Sequence, residues 1–103
     1  MFYEQTRQIA IEENYYCIRY ILEETIDTYV RYGIKVEMTD LITGISSMSV
    51  VNDITTEIEM IEAIYQMVYE GIVTPISLRD VIEDLIEELL QDSNIGTKAI
   101  IIA

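Results

Sequence analysis

Over residues 77–92, SLRDVIEDLIEELLQD, apolar positions recur at alternating steps of four and three: Leu78, Ile82, Leu85 and Leu89, widened by Val81, Ile86 and Leu90. A stripe of that breadth is the core-facing side of an amphipathic helix. Ser77 stands where an N-cap hydroxyl accepts an early backbone N–H, and Asp80 lies three residues on, where a capping-box acid goes. The opposite face carries Asp80, Glu83, Asp84, Glu87, Glu88 and Asp92, with Arg79 as its one cation. Asp80, Asp84, Glu88 and Asp92 follow one another at i, i+4, where like charges repel by about 0.3 kcal/mol per pair. Such a face is either plain solvated exterior or a surface kept acidic for a basic partner.

The rest of the pattern reads as more helix. Residues 3–32 are expected to form one long helix, with Ile11, Ile18, Leu22, Ile26 and Tyr29 inside, supported by the i, i+4 pairs Arg19–Glu23 and Asp27–Arg31 and closed by a left-handed Gly33. Residues 34–38 alternate apolar and polar as a short strand or an extended connection. Thr39 or Asp40 then caps a short helical turn over residues 41–43, ended by Gly44. A further helix starts between Ser49 and Asp53 and runs to Glu70, with Gly71 at its end. Its seam, Val51, Ile54, Ile58, Ile61, Tyr65, Val68 and Ile72, has coiled-coil spacing and serves either antiparallel packing within one bundle or contact between two copies. Pro75 breaks the chain before the acidic helix. After it, Ser93 to Gly96 stop that helix, and the Ile-rich residues 98–102 are expected to pair with 34–38, pack into the core or be shared with a second chain. The expected fold is therefore all-α: one domain over residues 1–103, a small bundle of three main helices plus a short helical turn, with a minor two-stranded pairing of 34–38 with 98–102.

Charge sharpens the picture. The net charge is −13, which opposes direct binding to nucleic acid or to an anionic membrane. Residues 1–35 hold six acids against four bases, whereas residues 36–103 hold thirteen against Arg79 and Lys98. The lack of His removes Ser–His and Cys–His nucleophiles, zinc–histidine sites and imidazole switches. A single Cys17 has no internal disulfide partner and reads as a buried, inert thiol. MFYEQTRQ lacks the basic start and apolar run of a signal peptide, and no apolar run approaches the ~18 residues of a membrane span, so a cytoplasmic location is expected.

What chemistry remains is carboxylate chemistry. Glu59 and Glu62 share one side of the middle helix at i, i+3, as Asp84 and Glu87 do on the last, and such pairs on packed helices suit Mg²⁺. The pattern resembles the all-α nucleotide pyrophosphohydrolases, which use ExxE and ExxD pairs on neighbouring helices; the resemblance implies a Mg²⁺-dependent nucleotide hydrolase. It departs from that family in its DxxE second pair and in the scarcity of bases to hold phosphates. Eight tyrosines against one Phe and no Trp form a second signal. Tyr16 and Tyr20, one turn apart beside Glu12, Glu13 and Glu23, suit an interface, because tyrosine combines large area with a polar tip; Tyr65 and Tyr69 repeat the spacing.

The leading expectation is a non-enzymatic interaction module without cofactor, an acidic inhibitor or adaptor that binds a basic protein surface. Asp80, Glu83, Asp84, Glu87, Glu88, Asp92, Tyr16 and Tyr20 are its candidate partner-binding residues. Six acids along ~18 Å of helix axis approach the phosphate density of one DNA strand, so a nucleic-acid-binding groove is one target, as for virus-encoded inhibitors and bacterial immunity proteins. The alternative is an assembly protein that homodimerises through the residue 51–72 seam.

Overall fold

Ile18, Tyr20 and Leu22 face one way along the chain, and Cys17, Arg19 and Ile21 the other; Ile34, Val36 and Met38 alternate in the same manner. That period-two pattern governs the first half of the molecule. The computed structural model describes the backbone of residues 3–92 and the side chains of residues 3–89. Four antiparallel strands, β1 (Tyr3–Ile11), β2 (Asn14–Ile26), β3 (Val30–Asp40) and β4 (Ser46–Thr55), form one sheet in chain order. Two helices follow, α1 (Ile58–Glu70) and α2 (Leu78–Asp92), linked through a short 3-10 turn at Pro75–Ser77.

The all-α expectation is overturned: residues 3–32 are not a helix but β1, β2 and the start of β3. The stripe Ile18–Leu22–Ile26 misled because a step of four is even, so it keeps one face on a strand as well as on a helix. Tyr, Ile, Val and Thr, which fit the half-buried surface of a sheet, dominate residues 15–36 and decide the outcome. Arg19 bonds across the sheet to Glu4 and Glu37 instead of to Glu23. The Asp27–Arg31 pair does form, at 2.8 Å, but across the β2–β3 turn. The expected strand at residues 34–38 lies in the middle of β3, paired with β2 on one side and β4 on the other, so neither of its edges is open to residues 98–102, which lie outside the described residues. The turn expected over residues 41–43 is a hairpin loop, in which Asp40 Oδ1 accepts the N–H groups of Ile42 (2.8 Å) and Thr43 (3.1 Å).

Gly33 has a reason other than a helix cap. Between Ile34↔Val51 and Tyr32↔Thr55 the β4 strand carries extra residues, a bulge with Asp53 at φ 52°. The bulged backbone presses on β3, and a Cβ at Gly33 would lie 2.7 Å from the Val51 carbonyl oxygen. Only glycine admits that approach.

Cross-strand partners define rows on the side of the sheet that faces the helices: Tyr3–Leu22–Ile34–Val51, then Gln5–Tyr20–Val36–Ser49, then Arg7–Ile18–Met38–Ser47, then Ile9–Tyr16–Asp40. The first two rows lie under the helices, together with Arg7 and Ile18 of the third. There Leu22, Ile34 and Val51 meet Ile61, Ile64 and Val68 of α1 and Leu78 and Ile82 of α2 in one fully buried core. α1 is also tied to β2, an inner strand of the sheet, because the Tyr65 hydroxyl donates to the Tyr20 carbonyl at 2.8 Å. Burial pushes that phenol up to about 12, against the opposing effect of the Gln5 backbone.

α1 stops through a Schellman arrangement: Val73 N–H to the Val68 carbonyl (3.2 Å), Ile72 N–H to the Tyr69 carbonyl (3.2 Å), and buried Val73 at the helix foot. The left-handed residue is Ile72, at φ 52°, whereas Gly71 one position earlier is right-handed at φ −79°. A β-branched side chain there is strained. α2 lies where its stripe places it, with Leu78, Ile82 and Ile86 buried. Ser77 belongs to the 3-10 turn, where its hydroxyl faces Thr74.

Candidate functional site

The two helices form the outer layer, and their exposed sides are acidic. Residues 57–92 carry ten carboxylates against Arg79. On α2, Asp80, Glu83, Asp84, Glu87 and Glu88 are all exposed; the side chain of Asp92 lies outside the described residues. Asp80 in the first turn suits the helix dipole, but neither helix has a basic residue in its last turn, and Glu70, Glu87 and Glu88 crowd the C-terminal ends. Carboxylates at that end oppose the dipole by about 0.3–1 kcal/mol each, so their placement is not for helix stability.

The cations of the N-terminal third are held elsewhere. On the opposite, solvent face of the sheet Arg19 bridges Glu4 (2.9 Å) and Glu37, and Lys35 reaches Glu37 at 3.6 Å. The Arg19 hydrogen bond holds the Glu4 carboxyl below the usual carboxylate range. Arg31 pairs with Asp27 and, at 2.9 Å, with Asp53 of the bulge. Arg7 lies on the helix side, its guanidinium 4.1 Å from the centre of the Tyr69 ring. All four are thus engaged with the sheet or with α1, and the acidic face of α2 is not neutralised by them.

The remaining candidates are dispersed. Tyr20 is wholly buried, its ring edge-to-face with Tyr69 at 5.4 Å, so it does not offer a partner surface; burial raises its pKa. Tyr16, two rows further out, is half-buried near the far end of the sheet. The 51–72 seam is not one helix: Val51 and Ile54 belong to β4, and Ile58, Ile61, Tyr65 and Val68 to α1. Val51, Ile54, Ile61, Tyr65 and Val68 fill this chain's own core, Ile58 packs at its margin, and Ile72 alone is largely exposed. Glu59, Glu62, Asp84 and Glu87 stand exposed, and among the described residues no three His, Cys, Asp or Glu gather closely enough to hold a metal ion. The pyrophosphohydrolase resemblance also loses its all-α premise.

Two concavities accompany the helix layer. One of about 320 Å³ lies between β1 and α1, lined by Tyr3, Gln5, Leu22, Glu62, Tyr65 and Gln66. The other, about 290 Å³, lies at the far end of the sheet against Tyr16, Met38, Asp40, Thr43 and Ile45. Sequence reasoning missed the second, since its floor is visible only once residues 9–16 and 38–47 are read at period two.

Sheet, helix layer and exposed carboxylates together define a two-layer α+β domain with an acidic outer face. The chain belongs to DUF6514, a family of unknown function, which matches residues 2–88. No curated protein and no solved structure matches it. Among the described residues, no helix is long and apolar enough to cross a membrane.

Proposed function

We propose that this chain is a non-enzymatic interaction module whose acidic helix layer docks on a basic protein surface. The observation that supports it is the separation of charge: the cations of the sheet are engaged with the sheet and α1, while the helices turn outward an almost uninterrupted set of carboxylates. Asp80, Glu83, Asp84, Glu87 and Glu88 follow one another along α2 at about one per 3 Å of axis, close to the phosphate spacing of a nucleic-acid strand. A protein groove built for nucleic acid is therefore a fitting target, and a cytoplasmic setting accords with the free thiol of Cys17.

The test is capture of partners from the native host by wild type and by the double variant Glu87→Lys/Glu88→Lys. The expected result is a basic partner that the wild type retains at low salt, releases as salt rises, and that the variant fails to retain. A partner held equally by both proteins, at any salt, would sink the reading. Self-association through residues 51–72 finds no support in the fold, because most of those side chains are internal.

A further inference from the structure

The helix layer covers only part of the sheet. α1 runs from the β2–β3 turn toward the opposite end: Tyr65 stacks on Tyr3 with ring centres 6.5 Å apart, and Tyr69, four residues on, meets Arg7 and Tyr20. There the chain turns back through residues 71–77, and the 3-10 turn rests on β3 and β4. Toward the hairpins at Glu12–Glu13 and residues 41–45 the strands continue with no helix over them among the described residues.

That uncovered end is not a polar surface. Its floor is Ile9, Tyr16 and Met38, with Ile9 and Met38 packed against the margin of the core. Ile11 at the end of β1 and Ile45 beside the depression are 48% and 72% exposed. Ile72 and Ile76, 41% and 95% exposed, lie on the connection between α1 and α2. The loop carrying Ile45 is held in shape by the two backbone bonds to Asp40, by Ile45's own carbonyl accepting the Asp40 N–H at 2.9 Å, and by Leu41 N–H donating to the Tyr15 carbonyl at 2.8 Å. Within residues 8–18 and 36–50, which build this end, the charges are Glu12, Glu13, Glu37 and Asp40, without a single Lys or Arg. Glu37 points to the other side of the sheet, so the outer rim at the hairpins is acidic, while Arg7, beside Ile9 on this face, is turned under the Tyr69 ring at the inner border.

We propose that this ledge seats a basic amphipathic helix of the partner, apolar side down on Ile9, Tyr16, Met38 and Ile45, with its lysines and arginines meeting Glu12, Glu13 and Asp40. The proposal rests on the basic-partner reading and specifies how that partner is held. Four strands, and the four or so residues of each that lie beyond the helices, give a floor about 15 Å on a side, enough for roughly three helical turns. α1 and α2 show that this face of the sheet accepts helices, and a third would extend their layer. A second copy fits less well, since it would bring one acidic rim against another in a chain of net charge −13.

The probe is a labelled model peptide of Leu and Lys, about 15 residues long with leucines on one helical face, compared by fluorescence anisotropy with a scrambled peptide of identical composition. The wild type is expected to bind the amphipathic peptide about tenfold more tightly than the scrambled one. Ile45→Glu and Ile11→Glu, at exposed positions that leave the fold intact by circular dichroism, are expected to abolish that preference. Because glutamate adds negative charge, electrostatics alone would strengthen binding, so the loss reports apolar contact. Glu87→Lys/Glu88→Lys is expected to weaken both peptides and preserve the preference. Equal binding of both peptides by the wild type, whether because nothing docks or because residues 93–103 already hold the face, overturns the ledge while leaving the basic-partner reading intact. A wild-type dimer that Ile45→Glu converts to monomer assigns the ledge to a second copy and overturns it too. If neither peptide binds at low salt, the basic-partner reading and the ledge fall together.

Discussion

The two ends of one side of the sheet, built from the same four strands, meet different fates. Near the β2–β3 turn, Leu22, Ile34 and Val51 are completely covered by α1 and α2. Near the other turns, Ile9, Tyr16 and Met38 continue the same alternation and are only half-covered. An apolar floor that outruns its described roof leaves the far end more dependent on strand pairing and loop hydrogen bonds, while burial supplies most of the stability at the near end.

Core truncation sets the largest contrast. Ile61→Ala, on the buried side of α1, is expected to cost about 3 kcal/mol in urea unfolding, whereas Ile45→Ala, exposed at the far hairpin, should stay within about 0.5 kcal/mol. Equal losses would erase the distinction between the ends. Next, Gly33→Ala forces a Cβ to 2.7 Å from the Val51 carbonyl and is expected to cost about 2 kcal/mol; a neutral effect would deny the bulge its close approach.

Tyr65→Phe, which removes the bond to the Tyr20 carbonyl, is expected to cost about 1–2 kcal/mol. It also carries a pH signature. The phenol titrates near 10 when unfolded and about 12 when folded, so the neutral form is the one the fold prefers. Its contribution is complete below pH 10 and declines as pH rises toward 12; in Tyr65→Phe the component of that alkaline loss due to Tyr65 should vanish. The smallest effect has the opposite sign. Ile72→Gly relieves a left-handed β-branched residue and should add about 1 kcal/mol to stability, read as a raised Tm. A lowered Tm would mean that the Ile72 side chain contributes packing that outweighs the strain.

How much of this was legible in the sequence depends on the element. α2 was, because fifteen residues of strict 3,4 spacing admit no strand reading. β1 and β2 were not, since Ile18, Leu22 and Ile26 satisfy both periods, and the deciding evidence is spread across pairings such as Tyr20↔Val36 that no local window contains. Val51 and Ile54 looked helical because a bulge shifts the strand's alternation at Asp53 and mimics a step of three. Glycine was ambiguous for the same reason: Gly33 marks a close backbone approach and Gly71 the end of α1. Of the candidate site, the acids of α2 could be placed on an outer face from spacing alone. The engagement of Arg7 with Tyr69 could not, because it joins residues 62 positions apart through the fold.

The central claim is that, among the described residues, the far end of the sheet is an uncovered apolar ledge beside an acidic helix layer. Isoleucine-methyl NMR with a soluble paramagnetic probe tests it most directly. The account predicts strong attenuation at Ile11, Ile42 and Ile45, with Ile18, Ile34, Ile61 and Ile82 protected. Ile11 and Ile45 as protected as Ile34 in the free monomer would contradict it.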